Sequence, residues 1–195
     1  MASRLFNIVL SIIGLLLLSP VLAILALAIK LQDGGPILYR GRRVGRDGKE
    51  FLVLKFRSMK VGADKSGPAL TTRSDERVTT VGRLLRRFKL DELPQLWNVL
   101  VGEMNLVGPR PEDPRYIGLY NIEQQRILQV PPGVTSPASL CFKDESDLLS
   151  GEDWEHKYTE EILPRKIEMD LKYFDHNTIW TDVSIILRTV TNLHK

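Results

Sequence analysis

Residues 5–29 read LFNIVLSIIGLLLLSPVLAILALAI, and where this run is placed decides the architecture of everything after it. Between Arg4 and Lys30 it carries no charge. As a helix it reaches roughly 37 Å, enough to cross the hydrocarbon layer of a bilayer. Three placements compete. A cleaved signal peptide would use the small-x-small Ala26-Leu27-Ala28. Against it, the run exceeds an ordinary h-region, and Arg40, Arg42, Arg43 and Arg46 beyond it resist export. A straight helix would span the bilayer. A re-entrant helix-break-helix would enter and leave on one face. Ser19-Pro20 bears on this choice, because proline has no N–H and its ring clashes with the carbonyl four residues back, at Leu16. The Ser19 hydroxyl is placed to satisfy a carbonyl freed in this way. Positive charge lies on both flanks, which fits both ends on the cytoplasmic side. It also fits a spanning helix with its C-terminal side inside. Residue chemistry alone leaves both topologies open.

The remaining chain predicts one small globular domain over 33–195, behind a membrane segment over 1–32. Its fold class is α+β, mostly helical, with a β-hairpin. The full chain of 195 residues is long enough for a core of its own. Ile37-Leu38-Tyr39 leads into the hairpin, Gly45-Arg46-Asp47-Gly48 is turn material, and Phe51–Phe56 leads out. Residues 60–75 (KVGADKSGPALTTRSD) predict a loop. Val78, Val81, Leu84, Leu85 and Phe88 recur at helical spacing. Leu90, Leu93, Leu96, Trp97, Leu100 and Val101 do the same, with Asp91, Gln95 and Asn98 as the matching polar stripe. The segment LVGPRPEDP (106–114) predicts a stiff loop, and the region around VPPGVTSPASL (130–140) an irregular one. Two further helices are expected, over about 154–174 and about 180–193. The second would carry Trp180, Val183, Ile186, Leu187, Val190 and Leu193 on one side.

Net charge is +3, which favours anionic partners such as phosphates and anionic lipids. The single cysteine, Cys141, excludes an internal disulfide and fits a reducing compartment. No zinc-type cluster is present. Neither G-x-x-x-x-G-K-[ST], G-x-G-x-x-G nor G-x-S-x-G occurs, so any phosphate must be handled largely by side chains.

Three constellations supply candidates. Asp91-Glu92 has a structural reading, an N-cap and first-turn acids ahead of a helix with Pro94 in that turn. Its functional reading is two separate jobs. Successive helical residues point about 100° apart, so the pair cannot act as a matched dyad on one atom. One acid would attack or take a proton, and the other would hold a metal. The second constellation is basic, with Arg83, Arg86, Arg87 and Lys89 before the acids and Lys55 and Arg57 on a strand. It reads either as a face resting on lipid headgroups or as a diphosphate clamp. The third is Gly108-Pro109-Arg110-Pro111, where two prolines stiffen the backbone under one guanidinium.

Taken together, KFRSM (55–59), LDELPQLWNVLVGEMNLVGPRPE (90–112) and PPGVT (131–135), behind an apolar segment with Ser-Pro, resemble the bacterial sugar transferases. More narrowly they resemble the small monotopic polyprenyl-phosphate phosphoglycosyl transferases, without the extra N-terminal helices and domain of the large members. The resemblance implies a Mg²⁺-dependent enzyme at the cytoplasmic face of the bacterial inner membrane. Such an enzyme moves a sugar-1-phosphate from a UDP-sugar to polyprenyl (undecaprenyl) phosphate and releases UMP, as the first membrane step of glycoconjugate assembly. It implies Asp91 as nucleophile, forming a covalent phosphosugar intermediate, and Glu92 at the metal. It places Lys55, Arg57, Arg86 and Arg110 at phosphate or nucleotide, and Ser19-Pro20 at a re-entrant hinge. The lipid bilayer is a partner, a homo-oligomer is allowed, and no nucleic acid is implied. After Thr135 the chain departs from the family pattern with SPASLCFKDE (136–145), so the resemblance leaves the donor sugar open. Two other functions compete with it. One is a non-catalytic membrane-surface adaptor, and the other is a phosphohydrolase using the same acids with water as acceptor.

Overall fold

The computed structural model describes residues 4–63, 75–143, 145 and 153–192. A single long helix, α1 (Arg4–Asp33), contains Pro20. The Ser19 hydroxyl donates to Leu16 O at 2.8 Å, at the carbonyl that the proline ring leaves without its usual partner. The hairpin follows as β1 (Leu38–Val44) and β2 (Glu50–Phe56), antiparallel, with Leu38 opposite Phe56 and Val44 opposite Glu50. Its turn is where the sequence puts it, with Asp47 at φ 58° and Gly48 at φ 72°. Next come α2 (Thr80–Arg87), capped by Thr79, whose hydroxyl accepts from Gly82 N at 2.9 Å, and α3 (Gln95–Val101). Two three-residue strands, β3 (Asn105–Val107) and β4 (Gly133–Thr135), pair in parallel. Short helices α4 (Pro114–Ile117) and α5 (Pro137–Cys141) flank β4. The chain then continues through α6 (Trp154–Lys157), a π-turn at Tyr158–Ile162, α7 (Leu163–His176) and α8 (Ile179–Asn192).

The fold is therefore mostly helical, with a long apolar N-terminal helix and a hairpin. The expected loop over 60–75 lies largely outside the described residues. The β3–β4 pair stands where the sequence predicts only loop and irregular chain. Strands of three residues are too short to show a period of two, and Gly108 and Gly133 are what admit the pairing. A Cβ on Gly133 would come within 2.1 Å of Gly108 N, and one on Gly108 within 2.7 Å of Pro131 O.

Three apolar clusters hold the elements. Tyr116, Tyr120, Ile127, Tyr158, Ile162, Leu163, Ile167 and Leu171 join α4, α7 and the π-turn. Val53, Val99 and Met104 join β2 to α3. Ile29, Phe56 and Leu85 bind the C-terminal end of α1 to the hairpin and α2. Removing this apolar surface from water is the main favourable contribution to the domain.

Both small sheets have an open edge, and an asparagine side chain satisfies each one. On β2, Asn98 Oδ1 accepts from Leu54 N at 2.9 Å while Nδ2 donates to Leu52 O at 2.8 Å. On β3, Asn7 of α1 accepts from Leu106 N at 2.7 Å. Asn98 is 1% exposed. Asn98→Ala is expected to cost about 3 kcal/mol by leaving a cavity at a buried side chain and two strand-edge backbone groups without their partner, which lowers the midpoint by roughly 6–12 °C. A thermal melt checks this, and an unchanged midpoint would mean water replaces the amide.

Burial on α3 is inverted relative to a helix of a soluble surface. The polar stripe Asp91, Gln95 and Asn98 is buried, while Trp97 and Val101 are exposed. On α8, Asp182 and Ile185 are buried, and of the expected apolar stripe Trp180, Leu187 and Val190 stay exposed. Leu193 lies outside the described residues.

Candidate active site

Asp91 and Glu92 do not cap a helix. They occupy a single 3₁₀ turn, Leu90–Glu92, and α3 begins only at Gln95 behind Pro94. The turn is set by Lys89, a non-glycine residue in the left-handed region (φ 53°, ψ 21°). This reversal between α2 and α3 aims Asp91 into the body, where it is buried, and Glu92 toward β2 and the Gly108–Pro111 turn. Local propensity correctly places acids near a helix start, but it misses the reversal that turns them inward.

Glu92 is held by two cations on one oxygen. Lys55 Nζ lies 2.7 Å and Arg110 Nη2 3.0 Å from Oε1. Burial alone would push the Glu92 carboxyl up, but Lys55 and Arg110 outweigh it and hold it well below the usual carboxylate range. Burial pulls Lys55 below its ordinary value, with Glu92 opposing. Asp91 goes the other way. Burial raises its carboxyl, with Lys55 the largest opposing charge and Arg86 and Lys89 also opposing. Its Oδ1 is buried without a hydrogen-bond partner. Two neighbouring acids thus differ sharply, one neutralised by contact and one ionising against its surroundings.

Arg86, in the last turn of α2, donates from Nε to Ser58 Oγ at 2.8 Å and stands within electrostatic reach of Asp91. The structure therefore brings Lys55, Arg86, Asp91, Glu92 and Arg110 together. Arg57 is engaged elsewhere, and both its terminal nitrogens pair with Asp33 at the end of α1. Gly35 leaves room for that guanidinium, since a Cβ there would meet Arg57 Nη1 at 2.5 Å. Arg57 thus joins the strand to the long apolar helix instead of facing the two acids. The strand pattern pointed to a basic face but carried no sign that an acid at the helix end would claim one of its members. Asp33 was missed for the same reason.

Mg²⁺ is commonly held by one or two carboxylates, with substrate phosphates and water completing the octahedron. Among the described residues no group of three or more His, Cys, Asp or Glu is gathered. Both pairs to Glu92 fall on Oε1, leaving Oε2 outside them, and Asp91 Oδ1 has no partner. Glu92 Oε2 therefore fits a one-carboxylate site finished by substrate phosphate and water, with the Asp91 oxygen left for a different role.

The family model for bacterial sugar transferases matches residues 1–195. The chain belongs to the bacterial sugar transferase family. It is 40% identical over 192 residues to the UDP-glucose:undecaprenyl-phosphate glucose-1-phosphate transferase of Escherichia coli (strain K12), covering 94% of this chain and 38% of that protein. It is 38% identical over 193 residues to a Caulobacter vibrioides protein with the same designation, covering 97% of this chain and 68% of that one. Against the UDP-N-acetylgalactosamine-undecaprenyl-phosphate N-acetylgalactosaminephosphotransferase of Aeromonas hydrophila, identity is 32% over 190 residues, 96% of this chain and 42% of that protein. This bacterial sugar transferase chain therefore spans less than half the length of the E. coli and A. hydrophila relatives.

Proposed function

We propose that this chain transfers a sugar-1-phosphate from a UDP-sugar to undecaprenyl phosphate at the cytoplasmic face of the bacterial inner membrane. The observation that carries the reading is Asp91, a buried carboxylate with a free oxygen, set among Lys55, Arg86 and Lys89 and beside a neutralised Glu92. The names of the relatives supply the substrate class, and they divide between glucose and N-acetylgalactosamine.

In the first step an Asp91 oxygen attacks the phosphorus that bears the sugar. The bond from that phosphorus to the bridging oxygen breaks, and UMP leaves with the electron pair. In the second step an oxygen of the lipid phosphate attacks the same phosphorus, the bond to Asp91 breaks, and the carboxylate is regenerated. Each step exchanges one P–O bond for another and needs no oxidant or reductant. Splitting the transfer lets one pocket serve two bulky anionic substrates in turn. Repulsion between carboxylate and phosphate is offset by Arg86 and Arg110, whose guanidinium forks match phosphate oxygens. Lys55 and Arg110 keep Glu92 ionised. Glu92 would hold Mg²⁺, which would supply further charge neutralisation on the phosphates.

The membrane placement rests on α1. Most of its apolar residues face outward, and only 6% of its most apolar window is buried. Its polar residues Asn7 and Ser11 turn toward the domain. Both ends of α1 are tied to that same domain. Arg4 donates to Val99 O and Leu100 O at the C-terminal end of α3, and Asp33 pairs with Arg57. A straight spanning helix would carry Arg4 to the far leaflet, away from α3. A re-entrant path bent near Ser19-Pro20 keeps both attachments on one face. It also puts the exposed Trp97 and Val101 of α3 toward lipid, which accounts for the inverted burial there. With Cys141 replaced, single cysteines at Ser3 and Leu31 are both expected to react with an impermeant maleimide from the cytoplasmic side. Labelling of the two from opposite sides would reject the re-entrant path.

The activity is tested by incubating the protein with Mg²⁺, undecaprenyl phosphate and UDP-glucose or UDP-N-acetylgalactosamine, and following UMP. Release dependent on the lipid phosphate is expected. Sugar-1-phosphate formed without the lipid would make the chain a hydrolase instead.

A further inference from the structure

The turn that carries Arg110 is pinned at both ends, and its downstream pin involves two side chains outside the chemistry above. Upstream, Gly108 N donates to Thr135 O at 3.0 Å, and Gly133 N donates to Pro109 O at 2.8 Å. Downstream, Val44 N, at the end of β1, donates to Glu112 O at 2.9 Å. The Glu112 carboxylate is held separately on each oxygen. The amide of Asp113 donates to Oε1 at 2.9 Å, and the Tyr158 hydroxyl donates to Oε2 at 2.5 Å. Tyr158 is 1% exposed and opens the π-turn ahead of α7. Its ring meets that of Tyr116 edge to face, with centroids 5.2 Å apart, and Lys166 Nζ lies 5.2 Å from its centroid. A π-turn set into a helical run is often found at a functional site.

Between the pinned residues Pro109 and Glu112 lie only Arg110 and Pro111. Proline fixes φ at 109 and 111, so the backbone there has few torsions left to move. Packing does less to hold it, because Pro109–Glu112 line a pocket together with Lys166 and Ile167. The hydrogen bonds at the two ends therefore decide where the Arg110 side chain starts. From there Nη2 reaches Glu92 Oε1 at 3.0 Å. Tyr158 belongs to the apolar cluster of α4, α7 and the π-turn, so its hydroxyl ties the turn to the firmest part of the helical half.

We propose that Tyr158 and Glu112 are positioning residues for Arg110. Their hydroxyl–carboxylate bond fixes the downstream end of the 108–112 turn, so that the guanidinium stays aimed at Glu92 and the substrate phosphates. The inference rests on the phosphate transfer proposed above. It concerns placement, and neither residue touches a reacting atom. Tyr158→Phe is the narrow probe, because it removes one hydroxyl and keeps the ring against Tyr116 and Lys166. Glu112 Oε2 then loses its donor, and the turn keeps only its backbone bond to Val44 and the local bond from Asp113 at that end.

A double-mutant cycle tests the link. Tyr158→Phe alone is expected to lower kcat/KM for the UDP-sugar by about tenfold, with the larger share in KM. In an Arg110→Ala background the same change is expected to cost less than about twofold, because the positioned group is gone. An equal loss in both backgrounds, or no loss in either, would overturn the proposal. Hydrogen exchange at the Val44 amide reads the pin without any activity. In the unmodified protein it is expected to be as slow as the paired amides of the hairpin, and Tyr158→Phe is expected to speed it by about tenfold. Exchange at the rate of an open loop in the unmodified protein, or equal rates in the two proteins, would show that the hydroxyl does not hold this end of the turn and would equally overturn the proposal. Absence of UMP release from the unmodified protein would instead remove the transfer reading, while the exchange comparison would still decide whether the pin exists.

Discussion

Asp91→Asn is expected to abolish transfer and yet leave the metal-free protein more stable. The loss of activity follows from the role, since an amide oxygen does not form the acyl phosphate that links Asp91 to the phosphosugar at a useful rate. We expect UMP release to fall by about three orders of magnitude or more. Withholding the lipid should trap a phosphosugar on residue 91 of the unmodified protein, visible as an added mass on its peptide, and none on the variant. The gain in stability follows from the environment. Burial raises the Asp91 carboxyl, so the folded chain binds that proton more tightly than the unfolded chain does. Stability at this residue is therefore greatest at low pH and falls as pH rises from the ordinary carboxylate range through the raised folded value. At neutral pH the ionised form is a cost, carried by an oxygen with no hydrogen bond. A neutral amide removes that cost. With chelator present, the midpoint at pH 7 is expected to rise by about 2–4 °C, which corresponds to about 1 kcal/mol. A variant that keeps transfer activity would eliminate Asp91 as nucleophile. A variant that melts lower would show that the carboxylate is better satisfied than its surroundings indicate.

This combination is what a site kept for chemistry at the expense of stability should show. It also explains how far the sequence carries a reader. The hairpin was legible because Gly45–Gly48 chemistry and the flanking apolar runs agree, and the structure pairs the strands around that turn. The long apolar helix was legible from composition alone. Asp91, Gln95 and Asn98 were visible as a stripe, but spacing does not say which side of a helix meets water. Here the usual answer reverses, as the proposed lipid-facing side of α3 would require, so Trp97 faces out and Asn98 closes the edge of β2. Lys89 gave no local warning of its left-handed conformation, which glycine or asparagine would have given, so the inward turn of the acids stayed hidden. Asp33 was illegible for a different reason. It is an ordinary helical residue in sequence, and it acquires its meaning only from a partner far along the chain, Arg57. Long-range polar pairing leaves no periodic trace.

Glu92→Gln is expected to inactivate the protein as well, but with the opposite effect on stability, and this contrast separates the two acids. Lys55 and Arg110 share Glu92 Oε1, and neither makes another ion pair among the described residues. Removing the charge leaves both cations facing each other across a neutral amide. A fully buried pair would cost about 3–5 kcal/mol to break. Lys55 keeps 22% and Arg110 37% of its side chain exposed, and solvent screening reduces the expected loss to about 1–3 kcal/mol. The sign with pH follows from the lowered Glu92 carboxyl. Its stabilisation is fully present above the ordinary glutamate range and is lost as pH falls toward the depressed folded value. The variant lacks this contribution, so its deficit should be largest near neutrality and narrow on acidification. A second narrowing is expected at alkaline pH. Burial already pulls Lys55 down, and without Glu92 the folded chain releases that proton earlier than the unfolded chain, so stability rises with pH there. Melts of the metal-free variant from pH 4 to 10, set against the unmodified protein, should therefore show a deficit that is deepest between two limbs. A flat difference would mean that Lys55 and Arg110 find other partners, and that the charge balance around Asp91 does not depend on Glu92.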